Sequence, residues 1–265
     1  MNIFISTNLY KSEKLPEIFS LLHKLEDPSI GIELFPEWHD HFFYSFLHEY
    51  ESELRQRAIS LHGPYIDTEH SAKKGTTVYD RSMNYFQKTL LLSQGLKAKY
   101  IVYHHNNCKV GPSEKEQMII HSTENLAELR GADRGEYAPV VIENAGVRES
   151  GNMLFDESEF IAMAVNQPEK ILIDIGHAHA NGWDLERVLS SLGKRISAYH
   201  LHNNDGKNDL HDSISEGTLD MDHFFSLYHR YTPQADLVVE YGKQWADCQE
   251  KIKNDVEYIK NQVKR

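Results

Sequence analysis

The chain has 265 residues, 40% of them hydrophobic, and a formal net charge of −12 at pH 7. This length is sufficient for one large domain with a sizeable core, although two small domains would also fit. The negative charge argues against DNA as a partner, because proteins that bind duplex DNA usually present a basic face.

The sequence predicts neither a membrane span nor export. Its apolar runs are all shorter than the roughly 18 to 20 residues that cross a bilayer. The first ten residues, MNIFISTNLY, lack the basic region and apolar stretch of a signal peptide. The two cysteines, Cys108 and Cys248, are too few for a disulfide framework and lack zinc-finger or redox spacing. We therefore expect a protein of the reducing cytoplasm.

Eight short β-branched or aromatic runs alternate with longer amphipathic segments along the chain. The predicted strands are residues 2–7, 30–35, 58–65, 100–105, 140–145, 170–177, 196–203 and 236–242. Such alternation indicates a parallel sheet, and eight units in this length predict a single (β/α)8 barrel domain over residues 1–265. A doubly wound open sheet is the alternative. It would usually carry a glycine-rich loop after the first strand, where this chain has STNLYKSEK.

The segments between the runs are predicted to be helices. Tyr79, Met83, Phe86 and Leu90 recur at helical spacing. Ser113, with Glu116 three residues later, has the pattern of a capping box. A last polar amphipathic helix is predicted at about residues 244 to 263.

Acidic and imidazole side chains occur where these strands end. In a (β/α)8 barrel the active site lies at the carboxyl ends of the strands, so we expect these side chains to converge. The residues in question are Glu33, Glu37, His62, His104, Glu143, Asp174, His177, His200, His202 and Glu240, with Asp209 and His211 in the loop after strand seven.

A divalent cation is the simplest explanation for this convergence. Glu143 follows the apolar run VVI and Glu240 follows LVV, so each carboxylate would be costly to desolvate alone. Together they would also repel one another, and a cation removes both problems. Oxygen and nitrogen ligands suit Zn²⁺, Mn²⁺, Mg²⁺, Co²⁺ or Fe²⁺. Taken singly, each residue has a plainer interpretation, as a hydrogen-bonded histidine or an ion-paired wall residue.

Neighbouring residues have weaker claims to the site. Strand alternation places His105 on the face opposite His104, so we exclude it. His202 shares its face with His200 and is predicted to support the ligands or contact the substrate. Lys207, in the loop after strand seven, is a candidate contact for an anionic substrate.

The strand-end motifs resemble those of the xylose isomerase-like TIM barrels, which include the endonuclease IV proteins (AP endonuclease family 2) and many sugar isomerases and epimerases. The similarity covers most of the chain. The motifs are GIELF, HGPY, VYHHN, VIENAG, IDIGHAHANGWDL, YHLHNNDGKNDLHD, SEG and VVEYG.

The resemblance implies a metal ion held by four residues, namely Glu143, Asp174, His200 and Glu240. In the single-metal epimerases of this group the two metal-bound glutamates move protons, and the histidine corresponding to His177 often contacts substrate.

The endonuclease IV pattern is richer and implies three zinc ions. Its additional ligand positions correspond to His62, His104, His177, Asp209 and His211, so all nine positions are filled here. Three features depart from that pattern. IDTEHS follows HGPY where an asparagine-containing run is usual, IDIGH lacks a common cysteine, and the chain is acidic.

Two enzymatic hypotheses follow. The first is a metal-dependent isomerase or epimerase of a small sugar, sugar phosphate or sugar-like ketone, with Glu143 and Glu240 as general base and acid across an enediolate. The second is a phosphodiesterase or phosphatase with two or three metals. A dehydratase and a catalytically silent binding protein stay open. Barrels of this kind often form homo-oligomers, which the sequence alone does not decide.

Overall fold

A computed structural model of the chain describes residues 1–132 and 135–264. Eight parallel strands form a closed barrel in which each strand pairs with its sequence neighbours and β8 pairs with β1. The strands are β1 Ile3–Ser6, β2 Gly31–Leu34, β3 Ile59–Leu61, β4 Ile101–Tyr103, β5 Val140–Glu143, β6 Lys170–Asp174, β7 Ile196–Leu201 and β8 Asp236–Val239. The predicted (β/α)8 barrel is thereby confirmed.

Helices connect the strands, as parallel pairing requires. The α-helices are α1 Glu17–Leu25, α2 His41–Glu49, α3 Glu51–Leu54, α4 Thr77–Leu96, α5 Lys115–Ala132, α6 Glu157–Asn166, α7 Ile175–Ala180, α8 Leu185–Leu192, α9 Met221–Tyr231 and α10 Gln249–Val263. In the part of the chain that the structure describes, no helix is both long and apolar enough to cross a membrane. Cys108 and Cys248 are free and exposed.

Several predicted boundaries were wrong. The third strand ends at Leu61, so His62 lies in the loop that follows rather than in the strand. The sixth strand ends at Asp174 rather than at His177. The Asp174 side chain caps α7, which begins at Ile175, by accepting a hydrogen bond from the backbone N–H of His177. The predicted capping box at Ser113 was also wrong, because α5 begins only at Lys115.

Side-chain alternation along the strands positions the candidate site. A small buried cluster comprises Tyr100, Val102, Val141, Leu172 and Ala198. Two residues further along three of these strands, on the same face, come Glu143, Asp174 and His200. The inner face of the barrel therefore changes from apolar to ionisable towards its carboxyl end, while the larger hydrophobic cluster packs the strands against the helices.

Candidate metal centre and active site

Four residues at the carboxyl ends of strands β5 to β8 form a carboxylate-rich group; three lie in the last residues of β5, β6 and β7, and Glu240 directly follows β8. The Nδ1 atom of His200 lies 3.2 Å from Glu240 Oε2, 3.5 Å from Glu143 Oε2 and 3.8 Å from Asp174 Oδ2. All four side chains are buried. The structure thus brings together the four residues that the family resemblance implies for a single metal.

A second, histidine-rich group lies beside the first. It contains His177, His202, Asp209 and His211, whose ligand atoms lie within 4.8 Å of one another. The two oxygens of Asp209 face different histidines, at 3.2 Å from His177 Nε2 and 3.3 Å from His211 Nε2. His202 Nε2 lies 2.9 Å from Asp174, which joins the two groups.

Two further histidines lie close to Glu143. His104 Nε2 lies 2.8 Å from Glu143 Oε2, and His62 Nε2 lies 3.8 Å from the same oxygen. The ligand atoms of these three residues also lie within 4.8 Å of one another. All nine sequence-predicted ligand positions therefore converge, and Glu143 stands between the groups.

The loop after β7 is held by its own hydrogen bonds, which place Asp209 and His211. An isolated antiparallel bridge joins Asn203 to Asp212 through two backbone hydrogen bonds of 2.9 and 3.0 Å. His211 adopts a left-handed backbone conformation with φ 48°, and its Nδ1 lies 3.0 Å from the Glu240 carbonyl. Non-glycine residues rarely adopt this conformation, so the surrounding contacts must maintain it.

Burial and neighbouring charges separate the pKa values of the carboxyl groups. Burial raises the pKa of Glu240 to about 7, and the charge of His200 offsets only part of that effect. Burial also opposes ionisation of Asp174. The charges of His177 and His202 outweigh it and lower the Asp174 pKa to about 2.

The histidines also differ in their pKa values. Burial lowers the pKa of His211, but the Asp209 carboxylate outweighs it and raises that pKa to about 10. For His200, too, burial is outweighed by carboxylates, Glu240 foremost, which raise its pKa well above the usual range. Burial lowers the pKa of His62 well below the usual range of histidine. In the absence of a metal, His200 and His211 therefore favour their protonated forms. A divalent cation would compete with those protons.

Buried atoms without partners test whether these residues suit a metal. Among the described residues, Glu143 Oε1, Asp209 Oδ1 and the Nδ1 atoms of His177, His200 and His202 are buried without a hydrogen-bond partner. Such atoms are rare because each unsatisfied buried polar group is costly. They are nitrogen and oxygen atoms of residues that belong to the groups described above, so the donor set fits divalent metal ions such as Zn²⁺ or Mn²⁺.

A cavity of about 270 Å³ opens above these groups. Phe35 and Tyr65 provide an aromatic wall, and the Phe35 ring stacks on His62 with 4.4 Å between ring centroids. Lys243 and Glu37 also line the cavity, with Nζ and Oε1 3.8 Å apart. Its volume is close to the lower end of the range for small-molecule sites.

The two predicted substrate contacts lie in different surroundings. His202 is fully buried within the histidine-rich group. Lys207 is exposed, with its Nζ 3.2 Å from Glu149 Oε1. Neither is among the described residues that line the cavity. Their contact with substrate stays a prediction.

Some residues of the site were not identified from the sequence. Asn144 makes two hydrogen bonds with the backbone of Asp174, and Phe35 stacks on His62. Glu33 was recognised as a strand-end acid, but not as the partner of His200. A sequence signal existed for Asn144, which directly follows Glu143. The contact of Glu33 with His200 had no local signal, because the two residues are 167 positions apart.

The closed parallel barrel with its helices defines a protein of the (β/α)8 class. A model of the family described as the xylose isomerase-like TIM barrel matches residues 30–262. The chain belongs to this family, which confirms the resemblance seen in its strand-end motifs.

Several known proteins resemble this chain in sequence or in fold. A protein of Mycoplasmoides gallisepticum described as a probable endonuclease 4 is 23% identical over 221 residues, which cover 77% of this chain and 69% of that protein. The crystal structure of the IOLI protein with a bound zinc atom superposes with a TM-score of 0.76 at 17% identity, covering 99% and 98% of the two chains. That of D-psicose 3-epimerase in the presence of D-fructose has a TM-score of 0.76 at 14% identity, covering 99% of each. At these identities the two structures establish the fold alone.

Proposed function

We propose that this protein is a divalent-metal-dependent isomerase or epimerase of a small sugar or sugar-like ketone. One observation carries the proposal. The carboxylates of Glu143 and Glu240 approach the same nitrogen of His200, at 3.5 and 3.2 Å, beside a cavity of about 270 Å³. Two carboxylates that face one small cavity from the ends of different strands are suited to remove and return a proton.

The chemistry follows from this arrangement. Glu143, Asp174, His200 and Glu240 would hold the cation, which supplies positive charge that polarises a substrate carbonyl. One glutamate takes the proton from the carbon next to that carbonyl, and the electron pair moves onto the carbonyl oxygen to give an enediolate. The other glutamate returns a proton to the opposite face of the same carbon, which re-forms the original carbonyl, or to the former carbonyl carbon, in which case the hydroxyl proton of the first carbon moves to the former carbonyl oxygen. The first outcome is epimerisation and the second is isomerisation.

The cavity supports a small polar substrate. The amide side chains of Asn8, Asn106 and Asn152 line it and offer hydrogen bonds to hydroxyl groups. The aromatic wall of Phe35 and Tyr65 offers an apolar face for the carbon skeleton. Sugar 3-epimerases share this fold, which is consistent with such a substrate.

Proton exchange tests the proposal directly. The metal-loaded protein is incubated with a panel of ketoses in D₂O, and deuterium at the carbon next to the carbonyl is measured by NMR and mass spectrometry. We expect exchange with at least one ketose and a loss of about 10²- to 10⁴-fold in Glu143→Gln and in Glu240→Gln. Asp236→Asn removes a buried carboxylate at the first residue of β8, remote from the site, and should retain exchange. Absence of exchange with every ketose would refute the isomerase proposal.

A multi-metal phosphoester hydrolase is the second candidate. The observation in its favour is the presence of the two additional groups around Glu143 and Asp209, which a single-metal isomerase would not need. The relative described as a probable endonuclease 4 is consistent with this candidate. Elemental analysis of protein purified without chelator distinguishes the two. About three Zn²⁺ ions per chain together with hydrolysis of phosphoesters would favour the hydrolase, and about one ion together with C–H exchange would favour the isomerase.

A further inference from the structure

A buried carboxylate contacts Nε2 of His200, the ring nitrogen other than the one beside Glu143 and Asp174. Glu33, on β2, is fully buried inside the barrel. Its Oε1 lies 2.9 Å from His200 Nε2, and its Oε2 accepts a hydrogen bond of 3.2 Å from the Ser60 hydroxyl. The sequence-predicted ligand set does not include this residue.

Such a residue needs an explanation, because a buried carboxylate is costly unless it is paired. Ser60 lies opposite Glu33 in the β2–β3 pairing, so one partner is provided by the sheet itself. The other partner, His200, comes from β7 on a different part of the barrel wall. The contact therefore crosses the interior of the barrel directly beside the candidate metal centre.

The two ring nitrogens of His200 face different surroundings. Nδ1 points towards Glu143, Asp174 and Glu240 and has no hydrogen-bond partner among the described residues. Nε2 points towards Glu33. A carboxylate can only accept, so a neutral His200 donates its Nε2–H to Glu33 and keeps the lone pair on Nδ1. That tautomer is the one that a metal among the three carboxylates requires.

We propose that Glu33 is a positioning residue that fixes the tautomer and ring orientation of His200 and makes Nδ1 a stronger metal ligand. Carboxylates that accept the second N–H of a ligating histidine have this effect in metalloproteins. The inference rests on the proposed metal centre but applies equally to an isomerase and to a hydrolase. Glu33, His200 and Glu240 also have ligand atoms within 4.8 Å of one another. Both oxygens of Glu33 are already engaged, by Ser60 and His200, so we assign Glu33 to His200 rather than to the metal.

Zinc affinity provides the first test. Wild type, Glu33→Gln and Asp236→Asn are stripped of metal, and the dissociation constant and stoichiometry for Zn²⁺ are measured by competition with a chromophoric chelator. We expect Glu33→Gln to bind the same number of ions with roughly 10- to 100-fold weaker affinity at the carboxylate-rich group, because the amide is uncharged. Asp236→Asn also loses a buried carboxylate, paired with Lys99 at the opposite end of the barrel. It should keep wild-type affinity even where its melting temperature falls.

A second measurement needs only the wild-type fold. In zinc-loaded protein labelled with ¹⁵N-histidine, long-range ¹H–¹⁵N correlation reports which nitrogen of each ring carries the proton. The His200 signals are assigned through the variant His200→Asn. We expect a proton on Nε2 and the metal on Nδ1. The opposite tautomer would overturn the inference whether or not Glu33→Gln folds.

The outcomes separate the two proposals. Equal zinc affinity in wild type and Glu33→Gln would overturn the role of Glu33 and leave the proposed function standing. Loss of one whole equivalent of zinc in Glu33→Gln would also overturn it, because Glu33 would then be a ligand. Failure of the wild type itself to bind zinc, manganese or cobalt would overturn both the proposed function and this inference.

Discussion

Asn144 and Asp174 exchange two hydrogen bonds across the ends of neighbouring strands. The Oδ1 atom of Asn144 accepts from the backbone N–H of Asp174 at 2.7 Å, and Nδ2 donates to the Asp174 carbonyl at 3.0 Å. One side chain thus satisfies both backbone groups of a candidate metal ligand where β6 ends and α7 begins. Asn144 itself is buried, and it directly follows Glu143.

We expect Asn144→Ala to destabilise the protein by about 1–3 kcal/mol, because it leaves buried backbone groups of Asp174 without these partners. Urea unfolding monitored by circular dichroism measures the change. Asn166→Ala serves as the matched control, since Asn166 is exposed at the end of α6 and its side chain donates to the Ala162 carbonyl, its one hydrogen bond to the described residues. Its effect should stay within about 0.5 kcal/mol. Equal effects of the two substitutions would contradict the role given to Asn144.

Gly176 leaves the space that the His202 ring occupies. A Cβ atom at position 176 would lie 2.1 Å from Cε1 of His202. We expect Gly176→Ala to displace the ring and to destabilise the protein by about 1–3 kcal/mol through overpacking. In thermal unfolding, Gly95→Ala should instead stabilise by about 0.5–1 kcal/mol, since Gly95 lies in α4 with open space around its Cβ position. A neutral Gly176→Ala would show that His202 is not held as described.

Metal ions should stabilise the folded protein. The proposed ligands come from distant parts of the chain and converge only on folding, so the unfolded state lacks the site. At a free concentration 100 times the dissociation constant, one bound ion adds about 2.7 kcal/mol, or roughly 5–10 °C in melting temperature. Differential scanning fluorimetry with Zn²⁺ or Mn²⁺, followed by excess EDTA, measures the shift and its reversal. A melting temperature that is insensitive to all divalent ions would count against the metal centre.

An ion pair away from the site should make stability depend on pH. Lys260, on α10, lies 2.5 Å from Asp27 Oδ2. Its hydrogen bond, with help from Ser29, lowers the pKa of Asp27 to about 2. Because the folded-state pKa is lower than the unfolded value of about 4, the pair contributes fully above about pH 4 and is lost as pH falls towards 2. Solvent screening limits the contribution to about 0.5–1 kcal/mol.

Chemical denaturation of wild type and Asp27→Asn tests this dependence. The difference in unfolding free energy should be larger at pH 6 than at pH 3. Glu250→Gln removes the partner of Lys24 in a contact between α1 and α10, where the Glu250 side chain is exposed. This control should cause no measurable loss of stability at either pH. A difference for Asp27→Asn that does not change with pH would contradict the assignment.

The order of the strands and the chemistry of their ends could be read from the sequence. Alternation with period two is a local property, so Val141 and Glu143, or Ala198 and His200, are placed on one face by the backbone alone. In a closed barrel that face is the interior, and the ionisable residues must meet at its carboxyl end. For this reason the ionisable strand-end residues were predicted to converge, and the family resemblance selected Glu143, Asp174, His200 and Glu240 among them, which lie together.

The strand boundaries were less well predicted, for a physical reason. Polar residues continue the apolar alternation beyond the last paired residue, as in His62 after Leu61, so the sequence pattern does not mark where the ladder ends. The start of α7 depends on the Asp174 side chain, which caps the helix by accepting from the His177 N–H. Asp174, which was predicted to be an acidic residue at a strand end, is thus also the N-cap of α7.

Only the tertiary structure decided which polar groups pair across the barrel. Glu33 contacts His200, and the left-handed backbone of His211 brings its imidazole to Asp209. These relationships depend on barrel closure and on the fold of the loop after β7, neither of which has a local sequence period. The sequence determined which residues face the interior because side-chain direction is set by the local backbone. The structure decided their partners because contacts between distant strands exist only after the sheet closes.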